Sequence, residues 1–486
     1  MSFPEHLIIG GELVKPASGA TYASINPADE SVICQVPEAG IIEADQAVAA
    51  AREAFDDGRW SGLPPAKRSR VLRKLADLVR KHTAELARLE TLDVGKTDFD
   101  AAVIEIPTVA KILDYYAGWT DKLVGETLPT EEGVLRMTLR QPVGVVGAIT
   151  PWNFPLLLAT WKIAPALAMG NTVVHKPAKL SALSALRFGE LAIEAGVPAG
   201  VLNIIPGGGG SVGERIVTHE GVDKISFTGS TAVGIGIQQK AAPTLKRVTL
   251  ELGGKSPNII FEDADLKSAI RGAMTGIFYN KGEVCAAGSR LLVQRSVYNE
   301  VCAGIAASAA KFVPSAPVPG DPRSARMGPV VSRAQYDYVL SMIQSGRDEG
   351  ARILTGGNPH DNGTGKGFFI EPTVFADVDN AMRIAQEEIF GPVLCVIPFE
   401  DEAEALEIAN DSPFGLAAAV WTSDFGRAVR MVRGVEAGTV WVNAYNLYDP
   451  SLPFGGFKAS GFGRDLGSAA LAAYTETKSV WMNMKL

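Results

Sequence analysis

The sequence predicts an α/β protein whose parallel sheets are covered by helices. From residue 134 to 252, strand-like apolar segments alternate with segments whose apolar residues recur at helical spacing; the strand-like segments include "GNTVVHKP", "KISFTGS" and "RVTLELGG". The alternation starts again after residue 288, where "SRLLVQRS" precedes the helix-like "VYNEVCAGIAASAAKF". Because each return to a parallel strand needs a crossover, usually a helix, this alternation is typical of parallel sheets.

Helices are predicted upstream of this region, and an edge strand is predicted at the C-terminal end. Apolar residues at helical spacing, with charges between them, predict helices over 41–60, 64–93 and 99–118. The stretch "VLRMTLRQPVGVVGAIT" then changes to a strand-like period. The tail "YTETKSVWMNMKL" alternates as an edge strand does.

Length and charge narrow the class of protein. A chain of 486 residues exceeds the size that one hydrophobic core usually holds, so we expect two or three structural units. The net charge of -8 and the pI near 5.4 argue against nucleic acid as the main partner, because binding to phosphates needs a basic face.

Cysteine usage and apolar runs predict the compartment. The four cysteines are far apart and form no CxxC pair, so we expect no zinc site, no disulfide framework and a reducing, cytoplasmic compartment. The first 14 residues lack a basic region followed by an apolar one, so no signal peptide is expected. The longest uncharged run, Gln141–Trp161, is interrupted by three prolines. We therefore predict a buried strand, a loop and a helix start there, and no membrane span.

Two glycine-rich segments match nucleotide-binding patterns only in part. Residues 208–213, "GGGSVG", fit G-x-G-x-x-G between a strand and a helix, but no acidic residue ends the next strand. Gly209 of this segment stays a candidate cofactor-binding residue. Residues 253–256, "GGKS", lack the glycine that a phosphate loop requires five positions before Gly254, where Thr249 stands, so that interpretation is rejected.

Short polar stretches stand where the parallel strands should end. Since ligands bind at the carboxyl ends of parallel strands, we expect these stretches to lie together. Taken singly, each has an ordinary explanation: a lone cysteine is usually a small buried hydrophobe, and an asparagine between prolines usually forms a turn. The stretches are "TPWNFP" (150–155), "HKPAK" (175–179), "FTGS" (227–230), "LELGGKS" (250–256), "EVCAAGS" (283–289) and "EEIFGPV" (387–393).

In this order the motifs resemble those of the aldehyde dehydrogenase superfamily. "LELGGKS" precedes the Gly-x-x-Cys-x-x-Gly stretch, Gly282 to Gly288, by the separation found in that family. The resemblance extends from "INPAD" (25–29) through "WKIAPALAMGNTVVHKPA" and "DKISFTGS" to "PFGGFKASGFGR" (453–464) and "YTETKSV". It implies an α/β fold with a Rossmann-like parallel-sheet cofactor domain, a second α/β catalytic domain and a small bridging β-sheet.

The resemblance implies that Cys285 is the nucleophile and Glu251 the general base in the oxidation of an aldehyde. The thiolate attacks the aldehyde carbon, and the Asn153 side-chain amide and the Cys285 backbone N–H stabilise the oxyanion. A thioester on Cys285 remains after hydride transfer to nicotinamide, and water activated by Glu251 hydrolyses it without a metal. A glutamate can do this only if partial burial raises its pKa toward the working pH. Lys162 and Glu476 match a pair that relays protons to the base, although a salt bridge that merely joins two segments explains them equally well.

The resemblance also implies a site for NAD or NADP. Lys176 should bond the adenosine ribose, Gly229 and Ser230 at a helix start should face the pyrophosphate, and Glu388 should hold the nicotinamide ribose. Phe390 should pack near the nicotinamide. The remaining candidate cofactor-binding residues are Thr150, Trp152, Lys179 and Gly209.

Lys179 departs from the pattern of many NAD-using members. Those members carry a glutamate three residues after the ribose lysine, where it bonds the 2′-hydroxyl and repels a 2′-phosphate. A lysine there would attract a phosphate, whereas a lysine turned to solvent would not affect the choice. The sequence therefore leaves NAD and NADP open.

Four aromatic residues are the candidate substrate pocket: Phe154, Trp161, Tyr448 and Phe454. They form an apolar mouth without a fixed charge. Such a mouth suits an aliphatic or aromatic aldehyde, or a quaternary ammonium such as betaine aldehyde through cation–π contact. No arginine that would bind an acidic semialdehyde is seen among these positions.

We expect residues 1–123 and 142–252 to form the dinucleotide-binding domain and 253–450 the catalytic domain. Residues 124–141 and 470–486 should form the bridging sheet, whose exposed edge invites pairing into a homodimer or homotetramer. Two alternatives remain: a coenzyme A-acylating relative, and a catalytically idle member of the fold. Glu251 within an intact "ELGG" argues against the first, and the presence of Cys285, Glu251 and Asn153 argues against the second.

Overall fold

The computed structural model describes residues 3–485 and is built on two large sheets, of eight and seven strands. The five central strands of the eight-stranded sheet are parallel, and the strands at both edges are antiparallel. In spatial order the strands are Glu12–Val14, Leu7–Ile9, Leu202–Ile204, Thr172–Lys176, Val145–Ile149, Lys224–Thr228, Arg247–Glu251 and Gly461–Phe462. The last strand brings a C-terminal segment against Leu250 and Glu251.

The seven-stranded sheet is parallel apart from its first pair of strands. Its inner strands are apolar on both faces, as expected for a sheet whose two faces are covered. In spatial order the strands are Arg352–Thr355, Thr373–Ala376, Val393–Phe399, Arg290–Gln294, Pro257–Ile260, Ala417–Trp421 and Thr439–Val442.

A three-stranded sheet joins the C-terminal tail to the middle of the chain. Thr475–Asn483 pairs antiparallel with Val134–Pro142 along its whole length, and Thr127–Leu128 completes the sheet. The outer edge of the C-terminal strand carries no partner among the described residues, and Trp481 is exposed. Two short two-stranded sheets complete the strands: Thr21–Ile25 with Val32–Pro37, and Phe414–Gly415 with Phe457–Lys458.

The helices surround the two large sheets. They are Ile41–Asp56, Pro65–Lys81, Thr83–Val94, Ile106–Ala117, Pro155–Ala168, Leu183–Ala195, Glu214–Thr218, Thr231–Ala241, Leu266–Phe278, Tyr298–Ala309, Arg333–Asp348, Arg383–Gln386, Glu402–Asn410, Phe425–Gly434 and Ala469–Ala472. Two π-helical turns, Asp100–Glu105 and Gly209–Gly213, each lead into a helix. Among residues 3–485 no helix is both long and apolar enough to cross a bilayer.

Three predicted elements differ from the structure. The helix expected over 64–93 breaks at His82, which ends one helix and begins the next; its ring bonds Glu85 at 2.7 Å. The helix expected over 99–118 starts as a π-helical turn, since Pro107 has no N–H to donate to the turn before it. The strand-like 134–150 divides at Gly144, where φ is +134°, and its halves enter different sheets.

The polar strand ends meet at one edge of the eight-stranded sheet. Its register pairs Lys176 with Ile149, Ile149 with Phe227, and Thr228 with Glu251. The strands that end at Ile149, Lys176, Thr228 and Glu251 are parallel, so the loops that follow them leave the sheet on the same side. The structure therefore brings four of the motifs to one edge, as the sequence predicts.

Candidate active site

Cys285 lies where two cavities meet. One is a cavity of about 310 Å³ at the edge of the eight-stranded sheet. The other is larger, about 600 Å³, and mostly apolar. Both include Cys285 in their walls. The smaller cavity is lined by Pro151, Trp152, Asn153, Thr228, Gly229, Ser230, Leu252, Gly253, Cys285, Gln335, Tyr338, Glu388 and Phe390.

A left-handed turn presents Cys285. Asn280, Lys281 and Gly282 have φ values of +44°, +51° and +78°. Asparagine and glycine tolerate this conformation, but lysine rarely adopts it. The Lys281 ammonium, which is buried, donates to the Val94 carbonyl at 2.7 Å and holds the turn in place. A Cβ at Gly282 would lie 2.1 Å from the Gly391 carbonyl, so this position requires glycine.

Burial keeps the Cys285 thiol protonated. Enclosure by the protein, followed by the nearby Glu388 and Glu251 carboxylates, raises the pKa of Cys285 to about 12. The backbone N–H groups of Ala286 and Cys285 face the sulfur and oppose this rise. The thiol therefore needs a base, while the same N–H groups are available to an oxyanion formed beside it.

Asn153 is the second candidate oxyanion donor. It is buried, and its Nδ2 donates to the Glu283 carbonyl at 2.9 Å, which leaves the other amide hydrogen free. The backbone carbonyl oxygen of Asn153 accepts from Lys96 Nζ at 3.1 Å and from Asn280 Nδ2 at 2.9 Å. The side chain is thus fixed against the loop that carries Cys285.

Glu251 is buried at the end of its strand, and neither of its carboxylate oxygens has a hydrogen-bond partner within residues 3–485. Burial raises the pKa of Glu251 well above its usual value; Asp465 adds to the rise, whereas Lys162 and Arg464 oppose it. The adjacent Leu252 and Gly253 line the smaller cavity. An unpaired, buried carboxylate with a raised pKa has the properties of a general base.

The predicted pairing of Lys162 with Glu476 is wrong. Lys162 Nζ is bonded to Asp465 at 2.7 Å, and both side chains are buried. Glu476 lies partly exposed and forms its ion pair with Arg247, at the start of the strand that ends at Glu251. The explanation is geometric: Glu476 stands early in the C-terminal strand, whereas Asp465 follows the edge strand that packs against Glu251.

The glycines after Glu251 let the two sheets approach each other. A Cβ on Gly253 would lie 2.4 Å from Glu388 Oε2, and a Cβ on Gly254 would lie 2.6 Å from the Cys285 carbonyl. The Gly254 N–H donates to Glu388 Oε1 at 3.0 Å. Gly253 and Gly254 thus let the end of the Glu251 strand lie against Glu388 and the loop that carries Cys285.

The smaller cavity fits a dinucleotide. Gly229 and Ser230 line it just before the helix Thr231–Ala241, whose free N–H groups suit a phosphate. Thr228 Oγ1 is buried without a partner in the same wall. Enclosure raises the pKa of Glu388 to about 7. The Phe390 ring contacts Trp152 edge-on, with centroids 5.3 Å apart.

Four candidate cofactor-binding residues do not line this cavity: Thr150, Lys176, Lys179 and Gly209. Thr150 is buried and bonded to His175 at 2.9 Å. Lys176 is buried, and burial followed by the Lys179 charge lowers its pKa to about 8. Gly209 is exposed in a π-helical turn, although a Cβ at Gly213 of that turn would contact Lys176 at 3.5 Å.

Lys179 is paired with a carboxylate, and its side chain is 38% exposed. Its Nζ donates to Glu38 Oε1 at 2.7 Å and lies 4.5 Å from the centre of the Tyr22 ring. A carboxylate beside it neutralises much of the charge that would attract a 2′-phosphate. No local pattern in the sequence indicates this pair, because Glu38 and Lys179 are separated by 141 residues.

All four candidate substrate residues line the larger cavity. The Phe454 ring lies 5.3 Å from Trp161 and 5.6 Å from Tyr448 between ring centroids. Phe154 stacks on Tyr279 at 5.8 Å. Sequence reasoning missed Tyr279, Tyr445 and Phe312, which line the same cavity, because they come from distant segments. Within residues 3–485 no group of His, Cys, Asp or Glu side chains is arranged to hold a metal ion.

Comparison with known proteins agrees with this geometry. The sequence profile of the aldehyde dehydrogenase family matches residues 13–480. An aldehyde dehydrogenase of Emericella nidulans is 49% identical over 478 residues, covering 98% of this chain and 95% of that protein. Retinal dehydrogenase 2 of Mus musculus is 49% identical over 477 residues, covering 98% and 91%. The structure of an NAD+ complex of aldehyde dehydrogenase from Bacillus cereus has a TM-score of 0.96 and 47% identity, covering 99% and 97%.

The chain therefore belongs to the aldehyde dehydrogenase family. The predicted fold class is confirmed, and so are the predicted enzyme class and cofactor. The protein is an oxidoreductase that acts on the aldehyde group and depends on NAD or NADP.

The raised pKa of Cys285 leads to a testable result in the free enzyme. Alkylation of Cys285 by iodoacetamide should be slow near neutral pH and should rise about tenfold per pH unit to about pH 10, because only the thiolate reacts. The measurement is mass spectrometry of the peptide that contains Cys285, with Cys285→Ser as the control. A plateau near pH 8.5, typical of a solvated thiol, would contradict the assignment.

Proposed function

We propose that the protein oxidises an apolar aldehyde to its carboxylic acid through a thioester on Cys285. One observation carries this proposal: Cys285 lies at the junction between a cavity whose walls include Gly229, Ser230 and Glu388 and a second, aromatic cavity. A thiol at that junction contacts a substrate in one cavity and a cofactor in the other. The bound nicotinamide would accept the hydride that leaves the aldehyde carbon.

The first role of the chain is to hold the oxyanion. When Cys285 Sγ bonds the aldehyde carbon, the carbonyl oxygen becomes an anion. We propose that the second amide hydrogen of Asn153 and the backbone N–H of Cys285 donate to it; the proximity of that N–H to the sulfur supports this. The donors are fixed before the reaction, since Asn153 is bonded at both its side chain and its carbonyl.

The second role is to move protons. Glu251 takes the proton of the thiol and later that of the water which hydrolyses the thioester. Its unpaired oxygens and raised pKa support this role. The Lys162–Asp465 pair lies in the same buried region, and its two charges act on the pKa of Glu251 in opposite directions. We propose this pair, in place of the predicted Lys162 and Glu476, as the group that adjusts the base.

The cofactor residues carry the roles predicted from the family. Gly229 and Ser230 would face the pyrophosphate, Glu388 the nicotinamide ribose, and Trp152 with Phe390 the nicotinamide side. Lys176 and Lys179 would serve the adenosine ribose. Because Glu38 neutralises Lys179, we propose that NAD is accepted at least as well as NADP.

The substrate class follows from the larger cavity. Its volume of about 600 Å³ lies within the range of pockets for molecules of drug size. Its walls are mostly aromatic and aliphatic, including Phe154, Trp161 and Phe454. The name of one relative, retinal dehydrogenase 2, is consistent with a bulky apolar aldehyde. We propose an aliphatic or aromatic aldehyde with an extended apolar body.

We also propose that the three sheets mark functional units and that the chain forms a homodimer or homotetramer. The units are the predicted ones: 1–123 with 142–252 for the dinucleotide, 253–450 for the nucleophile, and 124–141 with 470–486 for assembly. The open edge of Thr475–Asn483 and the exposed Trp481 support pairing between subunits. Light scattering that gives only the monomer mass would oppose the proposed assembly.

The free cysteines fit a reducing compartment, which we propose is the cytoplasm.

A panel of aldehydes tests the reaction class. Purified enzyme with NAD or NADP and no coenzyme A should form reduced nicotinamide steadily, fastest with bulky apolar aldehydes. The ratio of kcat/KM for the two cofactors should not favour NADP, because Glu38 holds Lys179. Turnover that requires coenzyme A would assign the acylating reaction, and cofactor binding without turnover on any aldehyde would assign an idle member.

Replacing the base should trap the intermediate. In Glu251→Gln, hydrolysis of the Cys285 thioester should slow by about a hundredfold or more, since general base catalysis contributes that much. Because Glu251 also deprotonates the thiol, the adduct is formed from an activated ester at alkaline pH, and intact-protein mass spectrometry then follows its loss. Glu388→Gln is the control: the same adduct, made from an activated ester without cofactor, should hydrolyse at the normal rate there. Unaltered hydrolysis in Glu251→Gln would remove Glu251 from this role.

A further inference from the structure

A buried ionic cluster lies directly behind Asn153. Lys96 is fully buried, and its Nζ is bonded to Glu105 and lies 3.4 Å from Glu90 Oε2. Both carboxylates are also fully buried. A buried charge is retained only with partners that compensate its lost hydration. Here the Lys96 ammonium contacts two carboxylates, and burial raises the pKa of Glu105 to about 8 although the Lys96 charge opposes the rise.

The cluster forms hydrogen bonds to both ends of the Asn153–Leu156 segment. Lys96 Nζ donates to the Asn153 carbonyl at 3.1 Å and lies 4.8 Å from the centre of the Phe154 ring. Glu90 Oε1 accepts from the Leu156 N–H at 3.0 Å, at the first turn of the helix Pro155–Ala168. That N–H has no partner within its own helix. The peptide that carries the Asn153 side chain is therefore fixed by Lys96 and Glu90 together.

The same cluster reaches the nucleophile loop. Tyr279 donates its hydroxyl hydrogen to Glu105 Oε1 at 3.1 Å, and Tyr279 stands at the start of the turn that leads to Cys285. Asn280, the next residue, donates its side-chain amide to the Asn153 carbonyl at 2.9 Å. The Asn153 carbonyl thus accepts from one group on each side, Lys96 and Asn280.

We propose that Lys96 is a positioning residue for the oxyanion: its ammonium, locked between Glu90 and Glu105, holds the Asn153 carbonyl and so aims the Asn153 side-chain amide at the site where the oxyanion forms. Lys96 lines neither cavity, and its hydrogen bond to the Asn153 carbonyl is its link to the proposed oxyanion site. A small displacement of a donor can cost a large factor in rate even when every catalytic group is present. The inference rests on the proposed role of Asn153.

A double-mutant cycle tests this directly. Asn153→Ala should lower kcat by about a hundredfold or more. Lys96→Met should lower kcat by about tenfold or more, with KM for the aldehyde little changed, because the ground state does not use the donor. In the Asn153→Ala background Lys96→Met should cost less than about twofold, since the residue through which it acts is already gone.

Two further variants separate positioning from loss of structure. Lys96→Met leaves Glu90 without its cation, so Lys96→Met/Glu90→Gln removes both charges and should show the same loss of kcat. Arg68→Met is the matched control. Arg68 is a buried cation that donates to the carbonyls of Ser61, Leu63 and Ala168. Ala168 ends the helix Pro155–Ala168, which starts beside Asn153. Arg68→Met should keep kcat, whatever its effect on the melting temperature.

Two readouts apart from turnover check that the rest of the site survives. NAD affinity, followed by tryptophan fluorescence, and the rate of Cys285 alkylation should be unchanged in Lys96→Met. If Lys96→Met loses the same factor with and without Asn153, or keeps full kcat, the inference is overturned. If Asn153→Ala itself keeps full activity, the proposed role of Asn153 fails instead, which is a distinct outcome.

Discussion

A carboxylate without hydrogen-bond partners, buried at the end of a parallel strand, determines how the site of this protein is built. An unsatisfied buried charge is costly, and proteins rarely keep one without a function. Within residues 3–485 the carboxylate oxygens of Glu251 have no hydrogen-bond partner. Burial, followed by the nearby charge of Asp465, raises the pKa of Glu251. The Lys162–Asp465 pair places a cation and an anion beside it in the same buried region. An unpaired, buried carboxylate with a raised pKa is what the proposed role of Glu251 as a general base requires.

The same constraint explains the small residues around it. Gly253 and Gly254 follow Leu252, and Glu388 and the Cys285 carbonyl occupy the space that side chains there would need. These contacts join the eight-stranded sheet, whose strand ends at Glu251, to the loop that carries Cys285, before the strand Arg290–Gln294. The proposed base and the proposed nucleophile thus come from different sheets, and close packing at the two glycines brings these sheets together.

Much of this could be predicted from the sequence because it depends on local pattern. The alternation of strands and helices predicts the sheets, and the direction of parallel strands predicts which edge carries Asn153 and Glu251. Single long-range contacts leave no such pattern. Asp465 was missed as the partner of Lys162, and Glu38 as the partner of Lys179, since each pair joins residues that are far apart in the chain.

The pKa of Glu251 should depend on Asp465 and not on Glu476, and one measurement distinguishes the two residues. Acylated enzyme made from an activated ester is hydrolysed at a series of pH values, and the acid limb of the rate reports the ionisation of Glu251. Asp465 raises the pKa of Glu251 and Lys162 lowers it, so Asp465→Asn removes the first influence and frees the second. The acid limb should therefore move to lower pH. Glu476→Gln should leave the limb in place, because Glu476 is bound to Arg247. An unmoved or raised limb in Asp465→Asn, or an equal shift in Glu476→Gln, would contradict the account.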